Sequence, residues 1–226
     1  PRSLTMVMYA DMDLSVIDEM PPGRQPVETV VLPNTRREDV QARIREACAR
    51  ERRAYWVCPL IEDSDVLAVQ AATSRAEALK SELPELRIAL LHGKIPSAQK
   101  DEIMDDFRQG RVDVLVATTV IEVGVDVPEA SLMVIENAER LGLSQLHQLR
   151  GRVGRGDQKS VCVLMYQPPL GHNAKERLAT MRQSTDGFAI AQKDLELRGP
   201  GELLGVRQSG APQWAKKAKD RWQLVF

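Results

Sequence analysis

Arg87-Ile88-Ala89-Leu90-Leu91-His92-Gly93-Lys94 leads into a helical stretch ending at Phe107-Arg108-Gln109-Gly110, and Val112-Asp113-Val114-Leu115-Val116-Ala117 follows. The flanking runs, 87–92 and 112–117, are mostly apolar and nearly continuous, as strands buried on both faces are. Between them the pattern predicts a helix over 96–108, with Ile103 and Phe107 four apart on its inner face and Gly110 as its stop. Strand, helix and strand in this order predict a parallel pair joined by a crossover.

The same alternation extends in both directions. Further strands are expected at 27–32, 54–59, 131–136 and 160–166. Thr35-x-x-Glu38 reads as a capping box opening a helix to about residue 52. A second helix is expected over 66–83, ended by Pro84, and another over 144–153, while Thr119-x-x-Glu122 has the spacing to cap one short turn. The expected fold class is α/β, a parallel sheet with helices on both faces. After Gln167-Pro168-Pro169 the pattern changes to two short helices, 174–184 and 188–195, around Asp186-Gly187. A glycine-rich stretch (198–205) and a basic tail from Ala211 with Trp214 and Trp222 complete the chain. The expected divisions are a sheet domain over 1–170, a helical hairpin and loop over 171–210, and the tail over 211–226.

The chain has 226 residues, enough for one core and a small appendage. With 43% hydrophobic and 28% charged residues its composition is that of a globular protein, and a net charge of −1 gives no overall basic footprint. Contact with nucleic acid would need a local patch or a partner domain. Arginine supplies 22 of the 31 basic residues, which suits forked recognition of anions. Cys48, Cys58 and Cys162 form no C-x-x-C pair, and Cys58 and Cys162 lie in apolar runs as small buried hydrophobes do. His92, His147 and His172 are too scattered for a metal set. No apolar run reaches membrane-spanning length and no signal peptide is evident, so a cytoplasmic location without membrane contact is expected. The chain opens at Pro1, as expected of a fragment or processed product.

The most chemically loaded stretch is Gln148-Leu149-Arg150-Gly151-Arg152-Val153-Gly154-Arg155, which follows a Leu143-Leu146-Leu149 helical pattern. Two arginines three apart, expected on one helical edge, can reach the same anion, and the glycines let a phosphate or another backbone approach. This is how a charge clamp on a transferring phosphoryl group is built, where an arginine finger contributes roughly 10³–10⁵ in rate. No G-x-x-x-x-G-K-[ST] phosphate loop is present. The nearest spacing is Gly151 to Gly156, and Asp157 stands where lysine is required. A clamp without a cradle reads as half of an ATP-driven machine.

In α/β sheets, ligands gather at the carboxyl ends of strands. Three segments are expected to converge there: Leu90 to Lys94, Ala117 to Pro128, and the arginine stretch. Taken singly, each has a plain structural alternative. His92-Gly93 reads as a turn, Thr118-Thr119 as an N-cap, Gly124-x-Asp126 as another turn, and Gln148 to Arg155 as a solvated basic helix end.

Taken in order, the pieces resemble the second RecA-like domain of superfamily 2 helicases. Leu91-His92-Gly93 with Phe107-x-x-Gly110 resembles that family's HG…F-x-x-G block, and Val116-Ala117-Thr118-Thr119 with Gly124-Val125-Asp126-Val127-Pro128 resembles motif V. Gln148-x-x-Gly151-Arg152-x-Gly154-Arg155 matches motif VI residue for residue. Leu143 to Gly156 and Gln192 to Gly205 narrow the resemblance to RecG and the transcription-repair coupling factor Mfd. Ser15 to Arg24 and Glu122-Val123-Gly124-Val125-Asp126 favour RecG.

The resemblance implies an ATP-dependent helicase or translocase acting on branched DNA, that is, replication forks and Holliday junctions. By analogy Arg152 and Arg155 would be finger arginines, and Gln148 would orient water or phosphate beside them. Gly124 and Asp126 would lie at the ATP cleft, and Thr118, Thr119, His92 and Gly93 at the DNA. Arg177, Arg198 and Gln208 would couple hydrolysis to translocation. ATP and Mg2+ would be held mainly by a first RecA-like domain, which with an N-terminal wedge lies outside these residues, so the chain alone is expected not to hydrolyse ATP. The tail after Gly210 departs from the family's C-terminal helix. The alternatives are a fragment of Mfd and a non-enzymatic DNA-binding or docking module.

Overall fold

The computed structural model describes residues 25–59, 65–118, 127–156 and 158–198. The chain divides into two compact units, residues 20–191 and residues 1–19 with 192–226. The first unit is built on six parallel strands: β1 (Glu28–Pro33), β2 (Arg53–Val57), β3 (Ile88–Leu91), β4 (Val114–Ala117), β5 (Ala130–Ile135) and β6 (Val161–Tyr166). Their spatial order is β1-β6-β5-β2-β4-β3. All six coincide with the predicted apolar runs to within one or two residues at most ends, and the α/β class holds.

Among the described residues six α-helices accompany the strands: α1 (Arg37–Cys48), α2 (Asp65–Glu82), α3 (Ser97–Arg108), α4 (Leu143–Arg150), α5 (His172–Gln183) and α6 (Gly187–Arg198). Strand residues alternate between the two faces. Ala54, Trp56, Val114, Val116, Leu132, Val134, Val163 and Met165 form one buried cluster with Val40 and Ile44 of α1 and with Ala72, Ala76 and Leu79 of α2. On the opposite face Tyr55 packs against Phe107 of α3, their ring centroids 4.9 Å apart in a tilted arrangement. Leu143, Leu146 and Leu149 of α4 are fully buried.

Three local expectations are corrected. The Thr35 capping box does not form: residues Asn34–Arg36 make a 3-10 turn, and α1 starts at Arg37 without a side-chain cap. In α3 the buried pair is Met104 and Phe107, and Ile103 is only half-buried. The helix expected to reach Val153 ends at Arg150, so Gly151, Arg152 and Val153 form a turn, and Arg152 and Arg155 do not share a helical edge. Among the described residues no helix is long and apolar enough to cross a membrane, and no three or more His, Cys, Asp or Glu side chains are grouped to hold a metal ion. Burial pushes the Cys162 thiol up to about 12, which leaves it inert as the sequence suggests.

Candidate functional site

The three segments expected on one sheet edge are divided between two. His92 and Gly93 follow β3 and Thr118 follows β4, so these residues stand at the carboxyl edge. The Thr118 N–H donates to Leu91 O at 3.2 Å and ties the two loops together. Thr118 is only 5% exposed. Lys100 Nζ donates to Gly93 O at 2.9 Å and fixes the His92-Gly93 turn. Burial, and then the ammonium groups of Lys100 and Lys94, hold the His92 imidazole below its ordinary pKa, so it is neutral at pH 7. His92 Nδ1 is buried without a hydrogen-bond partner among the described residues.

The same edge holds a charged group that the sequence reading passed over. Glu136 directly follows β5, and its N–H donates to Val57 O at 2.9 Å. Its Oε1 lies 2.8 Å from Arg75 Nε and 3.2 Å from Arg37 Nη2. The Arg75 guanidinium also sits 5.9 Å from the Trp56 ring centroid, within cation–π range. One carboxylate between two guanidiniums leaves a net positive group at this edge. Arg37 and Arg75 lie far from any motif in sequence, and only their convergence on Glu136 marks them.

The arginine turn lies at the opposite, amino edge. A Cβ on Gly154 would fall 2.6 Å from Val27 Cγ2 and 3.4 Å from Gln25 O, just ahead of β1. A Cβ on Gly156 would fall 2.9 Å from Pro128 O, just ahead of β5. The glycines therefore serve the close approach of other backbone, one of the two uses anticipated for them. The reason for the change of edge is direction. The other loops leave the ends of strands, whereas this one leaves the end of a helix that begins after β5 and runs back along the sheet. The turn hangs from α4 through Gly151 N to His147 O and Arg152 N to Leu149 O, each 3.0 Å, and Val153 N to Arg150 O, 3.3 Å. Arg155 Nε donates to Gly151 O at 3.3 Å. Gln148 and Arg155 are exposed and Arg152 is half-buried, so all three side chains border solvent.

Arg150, part of the stretch whose plain alternative was a solvated basic helix end, turns inward and is 3% exposed. The signal was available: Leu143, Leu146 and Arg150 follow the i, i+3, i+7 spacing of one helical face. Arg177 of α5 donates through Nη2 to Glu139 O at 2.7 Å, in the segment that leads from β5 to α4. Thr119, Gly124, Asp126 and Gln208, and the Arg198 side chain, lie outside the described residues.

Residues 38–157 match the helicase conserved C-terminal domain. The chain belongs to that family. This helicase domain is 59% identical to the ATP-dependent DNA helicase RecG of Pasteurella multocida, over 98% of the chain and 32% of the relative. It is 62% identical to RecG of Escherichia coli (strain K12), over 93% of the chain and 30% of the relative. The chain thus spans about a third of the length of these relatives. Among solved structures, RecG bound to a three-way DNA junction superposes with a TM-score of 0.75 at 44% identity, covering 100% of this chain and 29% of that one.

Proposed function

We propose that this chain is the second motor domain of an ATP-dependent branched-DNA helicase of the RecG kind, acting in the cytoplasm on forks and Holliday junctions. The observation that carries the reading is the separation of two sites across one sheet. Anchored guanidiniums border solvent at the amino edge, and the net positive Arg37–Glu136–Arg75 group and a fixed His92-Gly93 turn stand at the carboxyl edge. A motor needs such a separation, because nucleotide and nucleic acid must both contact a domain without competing for one surface.

At the amino edge Arg152 and Arg155 suit a phosphate, since planar forks on a hydrogen-bonded turn present donors with little loss of freedom. Gln148, exposed in the last turn of α4 and four residues before Arg152, would orient phosphate or water, and Gly124 and Asp126 would complete that side of the cleft. ATP supplies the free energy of the cycle. Mg2+ and most of the ATP would be held by a first RecA-like domain, a reading supported by the lack of a G-x-x-x-x-G-K-[ST] segment in the 226 residues. At the carboxyl edge His92, Gly93, Thr118 and Thr119 would follow the DNA backbone. Arg177, Arg198 and Gln208 would pass movement to the DNA. The high identity to RecG across nearly the whole chain favours this reading over an Mfd fragment.

The test is replacement of the matching segment of Escherichia coli RecG by this chain. The hybrid should unwind a three-way junction with ATP. A hybrid that folds and hydrolyses ATP on junction DNA yet never separates strands would overturn the helicase assignment.

A further inference from the structure

Arg150 closes α4, one residue before the arginine turn. Its Nη1 donates to Met181 O at 2.9 Å and Ser184 O at 2.8 Å, and reaches Thr29 Oγ1 at 3.3 Å. Its Nη2 lies 3.1 Å from His147 Nδ1. Arginine has only donors, so that nitrogen of His147 presents its lone pair. No carboxylate is among these partners. A buried guanidinium without a counter-ion is costly, and burial pulls its pKa down.

The offset comes from where the carbonyls lie. Met181 and Ser184 stand at the C-terminal end of α5, where the last carbonyls lack helical partners and the dipole presents its negative end. Arg150 thus caps α5 from a different element. His147 reinforces the contact, since a Cβ on Gly187, at the start of α6, would lie 3.1 Å from its Nε2. Meanwhile the main-chain carbonyl of Arg150 receives Val153 N–H, inside the arginine turn. One residue therefore holds the turn by its backbone and the end of α5 by its side chain.

We propose that Arg150 is a positioning residue that makes the arginine turn and the α5 end of the hairpin move together, so that displacement of Arg152 and Arg155 in the ATP cycle reaches the hairpin directly. This inference rests on the reading of Arg152 and Arg155 as ATP contacts. It adds a second attachment, at the end of α5, to the one made by Arg177 through Glu139 O.

The test compares Arg150→Lys and Arg150→Gln in a full-length helicase in which this chain supplies its segment. Both replacements keep a donor and lose the fork. DNA-stimulated ATPase kcat and KM should stay within about 3-fold of the parent while junction unwinding falls roughly 10-fold, in the range by which residues touching neither ligand shift coupling. Amide exchange should quicken across residues 181–190 and stay unchanged in the sheet. Unwinding at the parental rate would overturn the proposal. So would hydrolysis and unwinding falling in equal proportion, or loss of sheet protection in both variants, which would make Arg150 a fold-holding residue only. Arg152→Ala in the same protein checks the underlying reading: undiminished hydrolysis there would remove the ATP contact whatever the Arg150 variants show.

Discussion

Gly154 has φ of +79° and a neighbouring methyl where its own Cβ would stand. Gly154→Ala should therefore destabilise the chain by about 1–2 kcal/mol for the left-handed backbone alone, with a further cost for displacing Val27. Urea denaturation of the 226-residue chain reads this directly, and an unchanged midpoint would show that the turn relaxes freely. Arg152 and Arg155 should behave differently, because they border solvent and their loss leaves the fold intact. In the full-length context, Arg152→Ala or Arg155→Ala should lower kcat by roughly 10²-fold or more with little change in DNA affinity. Lysine should rescue only in part, since an ammonium lacks the planar fork. Wild-type turnover in Arg155→Lys would rule out the finger role for Arg155.

At the scale of elements, two contacts carry consequences. The bond from Arg177 to Glu139 O joins α5 to the segment between β5 and α4. A charged hydrogen bond of this kind contributes ~1.5–3 kcal/mol, enough to bias one arrangement of the hairpin without unfolding the sheet. Arg177→Ala in the full-length helicase should leave DNA-dependent ATPase near normal and impair junction unwinding. Equal loss of both activities would place Arg177 in the ATP cleft or the core instead. At the amino ends of β3 and β4, Asp113 accepts from Arg87 N at 2.8 Å, Nε at 2.9 Å and Nη2 at 2.6 Å. Burial raises the Asp113 pKa, but the Arg87 bonds outweigh it and the net value lies below the ordinary carboxylate range. A depressed folded pKa contributes stability that is present above the unfolded value of about 3.9 and is lost as pH falls through the folded value. Asp113→Asn should therefore lower the denaturation midpoint at neutral pH and flatten its decline below about pH 4. Parallel curves for the two proteins would show that the clamp adds nothing in solution.

For the whole molecule, the amino-edge arginines have no cradle to work with. The isolated chain should show no DNA-stimulated ATP hydrolysis above background, because amides and a lysine must hold the β and γ phosphates before a finger can act. Hydrolysis by the pure chain that Arg152→Ala abolishes would overturn this. The near-neutral total charge fits the same picture. The net positive Arg37–Glu136–Arg75 group is local, so salt should weaken DNA contact at that edge through few charges.

The sequence by itself determined the six strands, the α/β class, the burial of Cys58 and Cys162, and the arginine-glycine content of the turn. These are readable because hydrophobic period and helix breakers act between near neighbours in the chain. Tertiary structure alone decided which sheet edge each segment reaches. His92 and Thr118 leave strands and stay at the carboxyl edge, while Arg152 and Arg155 leave a helix that runs back along the strands and emerge at the amino edge. It also decided which carbonyls of α5 the inward-facing Arg150 would cap, and that Arg37, the first residue of α1, and Arg75, in the middle of α2, meet at Glu136. Such convergence depends on contacts between residues many positions apart, and a one-dimensional pattern carries no information about which distant carbonyl or carboxylate a guanidinium will find.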